Sequence, residues 1–244
     1  MDFDLIARSM PALLDGAVMT LVLTAIAAPV GFCFAWPVAL AKLSDRAIVS
    51  RPASLFVYVF RGTPLIIQLY LIYYGLGQFR VELESMGLWW FFRDALNCAL
   101  LVLVLNTTAY AGEIFRGAIA GVEIGQIEAA RAAGMTWLTR TRRIVIPQAI
   151  RIAWPAYTNE VVFLMQATSL VSLVTVTELF RAADIIAVRT FKIYDMYLTV
   201  AVLYLIISYG IIVTFGMMER RLMRHQRKPE AKSIHARAFA VLTR

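Results

Sequence analysis

Charge is scarce in this chain: 16% of its 244 residues are Asp, Glu, Lys or Arg, against about 25% in ordinary soluble domains. Histidine and cysteine occur only twice each. No His-Glu-x-x-His sequence is present and no paired aspartates lie in the apolar runs, which argues against an intramembrane metalloenzyme or aspartyl enzyme. A Gly-x-x-x-x-Gly-Lys-Ser/Thr phosphate loop is also missing, so ATP, if it drives this protein, is hydrolysed on another chain. Midplane ionisable relays and broken-helix inverted repeats are not evident, which speaks against a secondary carrier. The first fifteen residues lack a basic n-region, since Asp2, Asp4 and Asp15 outnumber Arg8. The first apolar segment is therefore expected to be retained as an uncleaved anchor. Cys33 and Cys98 fall in apolar runs and read as small buried hydrophobes, not as a disulfide or metal pair.

Hydrophobic residues make up 60% of the chain. A soluble fold of this size would expose large apolar patches. Charge-free runs extend over 16–41, 62–79, 95–112, 161–177 and 196–218. A helix needs roughly 20 mainly apolar residues to cross ~30 Å of hydrocarbon, and it satisfies its own backbone there. The expected fold is all-α, a polytopic bundle of about five transmembrane helices. Its spans are placed at about 16–41, 54–79, 95–116, 152–177 and 196–218. Residues 1–223 form one membrane domain, and 224–244 form a basic tail.

The net charge of +8 is unevenly distributed. Lys42, Arg46 and Arg51 follow the first span, and Arg131, Arg140, Arg142, Arg143 and Arg151 follow the third. A further basic group follows the fifth, while the opposite segments are poor in Lys and Arg. By the positive-inside rule the N-terminus is periplasmic and the C-terminus cytoplasmic. This pattern points to a lipid bilayer and not to nucleic acid. The tail, with His225 and His235, is either simply solvated or lies near anionic head groups.

Pro29 and Pro37 flank Gly31 in the first span, either for packing or as a hinge. Trp89, Trp90, Phe91 and Phe92 suit an outer interfacial anchor. In the segment 178–195, Leu179, Phe180, Ala183, Ile186 and Ala187 recur at helical spacing. This predicts a short amphipathic helix, either on the outer surface or plugged into the bundle mouth.

Between the third and fourth spans lies a polar, basic island. Glu128 to Ala133 favours helix. Gly134 suits a left-handed C-terminal cap. Thr136 suits the N-cap of a second short helix ending before Pro147. The alanines allow close approach of another protein surface.

The spacing of this island resembles the hallmark cytoplasmic loop of bacterial ABC-importer permeases. Glu128, Ala129, Ala130, Gly134, Ile144 and Pro147 match it, with Ile146 where leucine is usual. Arg61-Gly62-Thr63-Pro64, the stretch from Asn106 to Glu113, Pro147 to Arg151, Asn159-Glu160-Val161 and Thr168-Ser169-Leu170 resemble the polar-amino-acid branch. They are most similar to the M-type permeases of histidine, basic amino acid and opine (octopine or nopaline) uptake. The resemblance implies a type I ABC-importer permease fold in a bacterial inner membrane. It implies two ATPase subunits that use ATP and Mg, a periplasmic substrate-binding protein, and a second permease, a paralogue favoured over a copy. The chain itself would be no enzyme and would bind no cofactor or metal. Segment 122–147 would be the coupling loop, Glu128 pairing with an ATPase cation or capping local backbone donors. The solute would be a basic amino acid or opine, with glutamine, glutamate or cystine as alternatives.

Charged groups within spans are expensive and often functional. Arg61 either pairs with Glu160, or each finds separate partners. Glu113 and Arg116 share a helix face and read as a local ion pair. With Arg61 and Pro64 they are structural or gating candidates. Polar side chains for a solute pathway are Gln68, Asn106, Thr107, Asn159, Glu160, Gln166, Thr168, Ser169 and Ser172, with hydrogen bonding between helices as the competing role. Glu178, beside the fourth span, is a further acidic partner for a cationic solute.

Overall fold

The structure is a computed structural model and describes residues 1–223; the basic tail and both histidines lie outside them. The described residues form an all-helical bundle. α1 spans Phe3–Lys42 and continues through Pro11, Pro29 and Pro37. Its N-cap, Asp2, accepts from the Leu5 amide at 3.1 Å. α2 (Ala47–Gly62) leads to α3 (Leu65–Tyr70) and a π-helical turn at Leu71–Gly75. Two short helices, α4 (Arg80–Ser85) and α5 (Trp89–Phe92), precede α6 (Ala95–Ala120). Asp94 caps α6 through the Leu96 and Asn97 amides. α7 (Ile124–Ala132) and α8 (Trp137–Arg140) form the island. α9 (Ile146–Ala167) follows a π-helical turn and ends in a 3-10 segment at Thr168–Val174. α10 (Leu179–Thr190) and α11 (Ile193–Leu222) complete the bundle.

Among the described residues three helices are long and apolar enough to cross a membrane on their own: α1, α6 and α11. The second and fourth expected spans appear as bent pairs. α2 and α3 with its π turn meet at 105°, and the α8–α9 rod meets α10 at 51°. The expected continuous span over 54–79 is thus broken, because Pro64 supplies no backbone donor and Thr63 and Pro64 are extended. The first helix starts earlier than the apolar run does. At 1.5 Å per residue its 40 residues extend about 60 Å.

α1 and α6 form the centre of the core through small residues. A Cβ at Gly31 would lie 2.7 Å from Thr107 Cγ2, and one at Gly112 would lie 3.1 Å from Val38 Cγ1. Such residues let two backbones approach closely where lipid gives no hydrophobic drive. These contacts favour the packing role for Gly31. Next to them Trp36 stacks on Phe115 at 4.4 Å, and Phe32 packs edge-on to Phe115 and Tyr157. Tyr157 donates to the Ala28 carbonyl at 2.8 Å, tying α9 to α1.

A second apolar cluster joins Leu13 and Ala17 of α1, Leu179, Ala183 and Ala187 of α10, and Met196 and Val200 of α11. α10 therefore packs into the bundle and does not merely lie on its surface. Gly16 admits it: a Cβ there would meet the Glu178 carbonyl and Leu179 Cα at 2.9 Å. Glu178, fully buried, accepts from the Phe180 and Arg181 amides and from Tyr204 Oη at 2.8–2.9 Å. It serves as the N-cap of α10, and its oxygens are already engaged. Cys98 is buried, whereas Cys33 is exposed and corrects the expectation of burial; both are free thiols.

Candidate functional site

The break between α2 and α3 opens a groove of about 510 Å³ lined by Arg61, Thr63, Pro64, Asn106, Tyr110 and Glu160, among others. An adjoining hollow of about 730 Å³ shares Arg61, Gly62 and Tyr110 and adds Lys42, Tyr58 and Glu113. Together they bring polar groups from α1, α2, α6 and α9 to one surface. Arg61 forms no ion pair with Glu160 among the described residues. Its guanidinium lies over the Tyr110 ring, 5.1 Å from the centroid, a contact that favours the cation. Arg61 and Glu160 line the same groove without pairing.

The ends of α1 and α6 are joined by charge. Glu113 takes Arg116 Nη2 at 2.6 Å, the ion pair read from the sequence, and also Lys42 Nζ at 2.5 Å. The Lys42 contact was missed. A signal was available: the first and third spans run the same way, so their terminal charges share one end.

The other pathway candidates scatter. Asn159 and Gln166 are exposed. Gln166 and Ser169 border a separate hollow of about 370 Å³ with Phe180, Tyr197 and Tyr204. Thr168 and Ser172 are buried, and the hydroxyls of Thr168, Ser169 and Ser172 donate to the Met165, Gln166 and Ser169 carbonyls. They satisfy the tight 3-10 turn. Thr107 is fully buried between α6 and α1. Gln68 is buried behind the groove, donating to the Phe60 and Thr63 carbonyls and accepting from Asn106.

The island has a defined shape. α7 ends at a turn where Gly134 has φ +74°, and the Met135 amide reaches the Ala130 carbonyl at 3.1 Å. Thr136 Oγ1 caps α8 through the Thr139 amide at 3.3 Å. The second helix does not end before Pro147, as the sequence suggested. A π-helical turn at Thr141–Val145 lets the Ile146 amide reach Thr141, and helix continues through Pro147 into α9. The change of hydrogen-bond register falls where proline lacks a donor. Ala129, Ala130, Ile144, Pro147, Gln126 and Gln148 line a hollow of about 490 Å³ between α7 and α9. The two glutamine side chains are hydrogen-bonded across it. Glu128 is exposed and has no side-chain partner among the described residues.

These features define a helical membrane component with a protruding helix-turn-helix and a polar groove at a broken span. Residues 27–224 match the family of binding-protein-dependent transport system inner membrane components, and the chain belongs to that family. It is 44% identical over 227 residues to the nopaline transport system permease protein of Agrobacterium fabrum, covering 93% of this chain and 94% of that one. It is 41% identical over 210 residues to the histidine/lysine/arginine/ornithine transport system permease protein of Escherichia coli strain K12, covering 86% and 88% respectively. The crystal structure of an amino acid ABC transporter with histidines superposes with a TM-score of 0.79 at 34% identity. The match covers 91% of this chain and 99% of that chain. The fold is that of a type I ABC-importer permease, and the chain is a permease component of such an importer.

Proposed function

We propose that this chain carries a basic amino acid or an opine across a bacterial inner membrane, with its N-terminus periplasmic. In this reading two ATPase subunits bind beneath it, a paralogous permease pairs with it, and a periplasmic binding protein delivers the solute. ATP and Mg belong to the ATPases. The relatives named for nopaline and for histidine, lysine, arginine and ornithine support that solute class. The groove at Pro64 supports it chemically. Glu160 offers a carboxylate to a cationic side chain, while Arg61, exposed above Tyr110, offers a guanidinium to a solute carboxylate.

The observation that carries the coupling role is the exposed α7–turn–α8 unit, built around Gly134, with Glu128 unpaired within the described chain. Its alanine-lined hollow, containing Ala129, Ala130, Ile144 and Pro147, suits a close-fitting partner surface. Closure of the ATPases would move this unit, and α9 would transmit the motion because helix continues from α8 through the π turn.

The test is uptake of labelled arginine into proteoliposomes holding the assembled transporter. Octopine, nopaline, histidine and glutamine serve as competitors. The expected result is competition by the cationic amino acids or the opines and none by glutamine. Competition by glutamine alone would overturn the solute class. Gly134→Asp is expected to abolish uptake and reduce ATPase co-purification while the chain still inserts. Normal values for both would remove this unit from coupling.

A further inference from the structure

The 105° break between α2 and α3 leaves specific backbone groups without helical partners. In a continuous helix the Phe60 carbonyl would accept from residue 64, but that residue is proline and has no N–H. The Thr63 carbonyl would accept from residue 67, whose amide turns instead to the Pro64 carbonyl at 3.0 Å. These two are among the carbonyls that the break leaves without helical partners, in a region where unmet hydrogen bonds are costly.

One side chain meets both. Gln68 Nε2 donates to the Phe60 carbonyl at 2.9 Å, and lies 3.1 Å from the Thr63 carbonyl and 2.8 Å from Thr63 Oγ1. Thr63 Oγ1 in turn donates to the Val59 carbonyl at 2.8 Å. Asn106 Nδ2, from α6, lies 3.3 Å from Gln68 Oε1 and 3.4 Å from the Phe60 carbonyl. An amide on α3 therefore supplies the donor that Pro64 lacks, and Asn106 fastens this junction to α6. Asn106, Thr63 and Arg61 line the groove, whereas Gln68 stays behind it.

We propose that Gln68 is a positioning residue for transport: its amide pins the broken helix at the angle that presents Arg61, Thr63 and Asn106 to the groove, without touching the solute. The role of the groove as solute path rests on the function proposed above; the pin itself does not. Removing the donor frees the Thr63 carbonyl, leaves the Phe60 carbonyl only the long contact from Asn106, and lets α2 and α3 change angle. The loss of transport then falls equally on every carried solute, because no solute contact is removed.

The experiment uses the assembled transporter in lipid nanodiscs, with Cys33→Ser and Cys98→Ala as background. Spin labels are placed at Tyr58→Cys on α2 and Leu71→Cys just after α3, both exposed. Gln68→Met keeps side-chain length and removes the donor. It is expected to broaden the label-to-label distance distribution and shift its mean, with no solute present. In unlabelled protein it is expected to lower the uptake rate about tenfold, or ~1.4 kcal/mol, by the same factor for each competing solute. An unchanged distance distribution overturns the proposal. So does a loss that differs between solutes, which would make Gln68 a solute contact. If Gln68→Met does not assemble, Gln68→Leu in the same labelled background gives the same test, since leucine also lacks the donor. An unchanged distance distribution in it likewise overturns the pin. Failure of the groove reading appears elsewhere, as unaltered solute preference in Glu160→Gln.

Discussion

At Gly31 the α1 and α6 backbones come so close that one added methyl would sit 2.7 Å from Thr107 Cγ2 and 2.9 Å from Thr107 Cβ. Overpacking of this kind costs about 1–3 kcal/mol, so Gly31→Ala should lower the melting temperature of the detergent-solubilised protein. The facing Thr107 has a buried hydroxyl with no hydrogen-bond partner. Thr107→Val exchanges that hydroxyl for a methyl of similar shape. Uptake should remain normal and thermal stability equal or higher, since an unsatisfied polar atom is removed. A changed solute preference in this variant would return Thr107 to the pathway. Lys42 and Glu113 give a second residue-scale test. Their side chains are only 14% and 23% exposed, and Arg116 shares the carboxylate. Lys42→Met and Glu113→Gln should each destabilise the fold. Their combination should cost less than the two single effects added, because both break one network. Strict additivity in thermal unfolding would count against it.

Single helices differ in how clearly their sequences announce them. The spans of α1, α6 and α11 are visible as charge-free runs because each is one apolar segment long enough for hydrocarbon. The second and fourth reach that length and apolarity only as bent pairs, and hydropathy carries no information about direction. Pro64 stood in plain view, yet its consequence depends on Gln68 and Asn106, whose partners are set by folding. The turn at Gly134 was legible because a left-handed glycine after an alanine helix is a local event. The π turn before Pro147 was not, since it depends on α8 joining α9 without a break. Among the site residues, Arg61, Asn106 and Glu160 come together in the groove, whereas the hydroxyls of Thr168, Ser169 and Ser172 serve their own turn. Composition cannot separate those two uses of a polar atom. For α10, Glu178 caps two amides and holds Tyr204. Loss of a cap costs about 0.5–2 kcal/mol. Glu178→Ala should therefore speed amide exchange in the first turn of α10 and leave α6 unaffected, as read by hydrogen–deuterium exchange.

Across the molecule, side-chain pairs fix the relative direction of the long helices. Gly31 meets Thr107 and Lys42 meets Glu113, so α1 and α6 run parallel. Asp2 lies beside Lys192 and Asp195 at the start of α11, so α11 runs the same way. The three long helices thus point the same way, which is compatible with the proposed orientation. In intact cells a membrane-impermeant maleimide should therefore label Phe3→Cys and spare Arg131→Cys until the cells are opened. The reverse pattern would invert the proposed orientation. α1 has a mechanical consequence of its own. It is an unbroken rod about 60 Å long, tethered by Lys42 to α6 just ahead of the α7–α8 protrusion. A tilt of only 5° about that tether would sweep the far tip through roughly 5 Å. Because α1 also packs tightly on α6 at Gly31 and Gly112, the two helices would tilt together, and a small rotation at the basic end would become a larger displacement at the opposite rim.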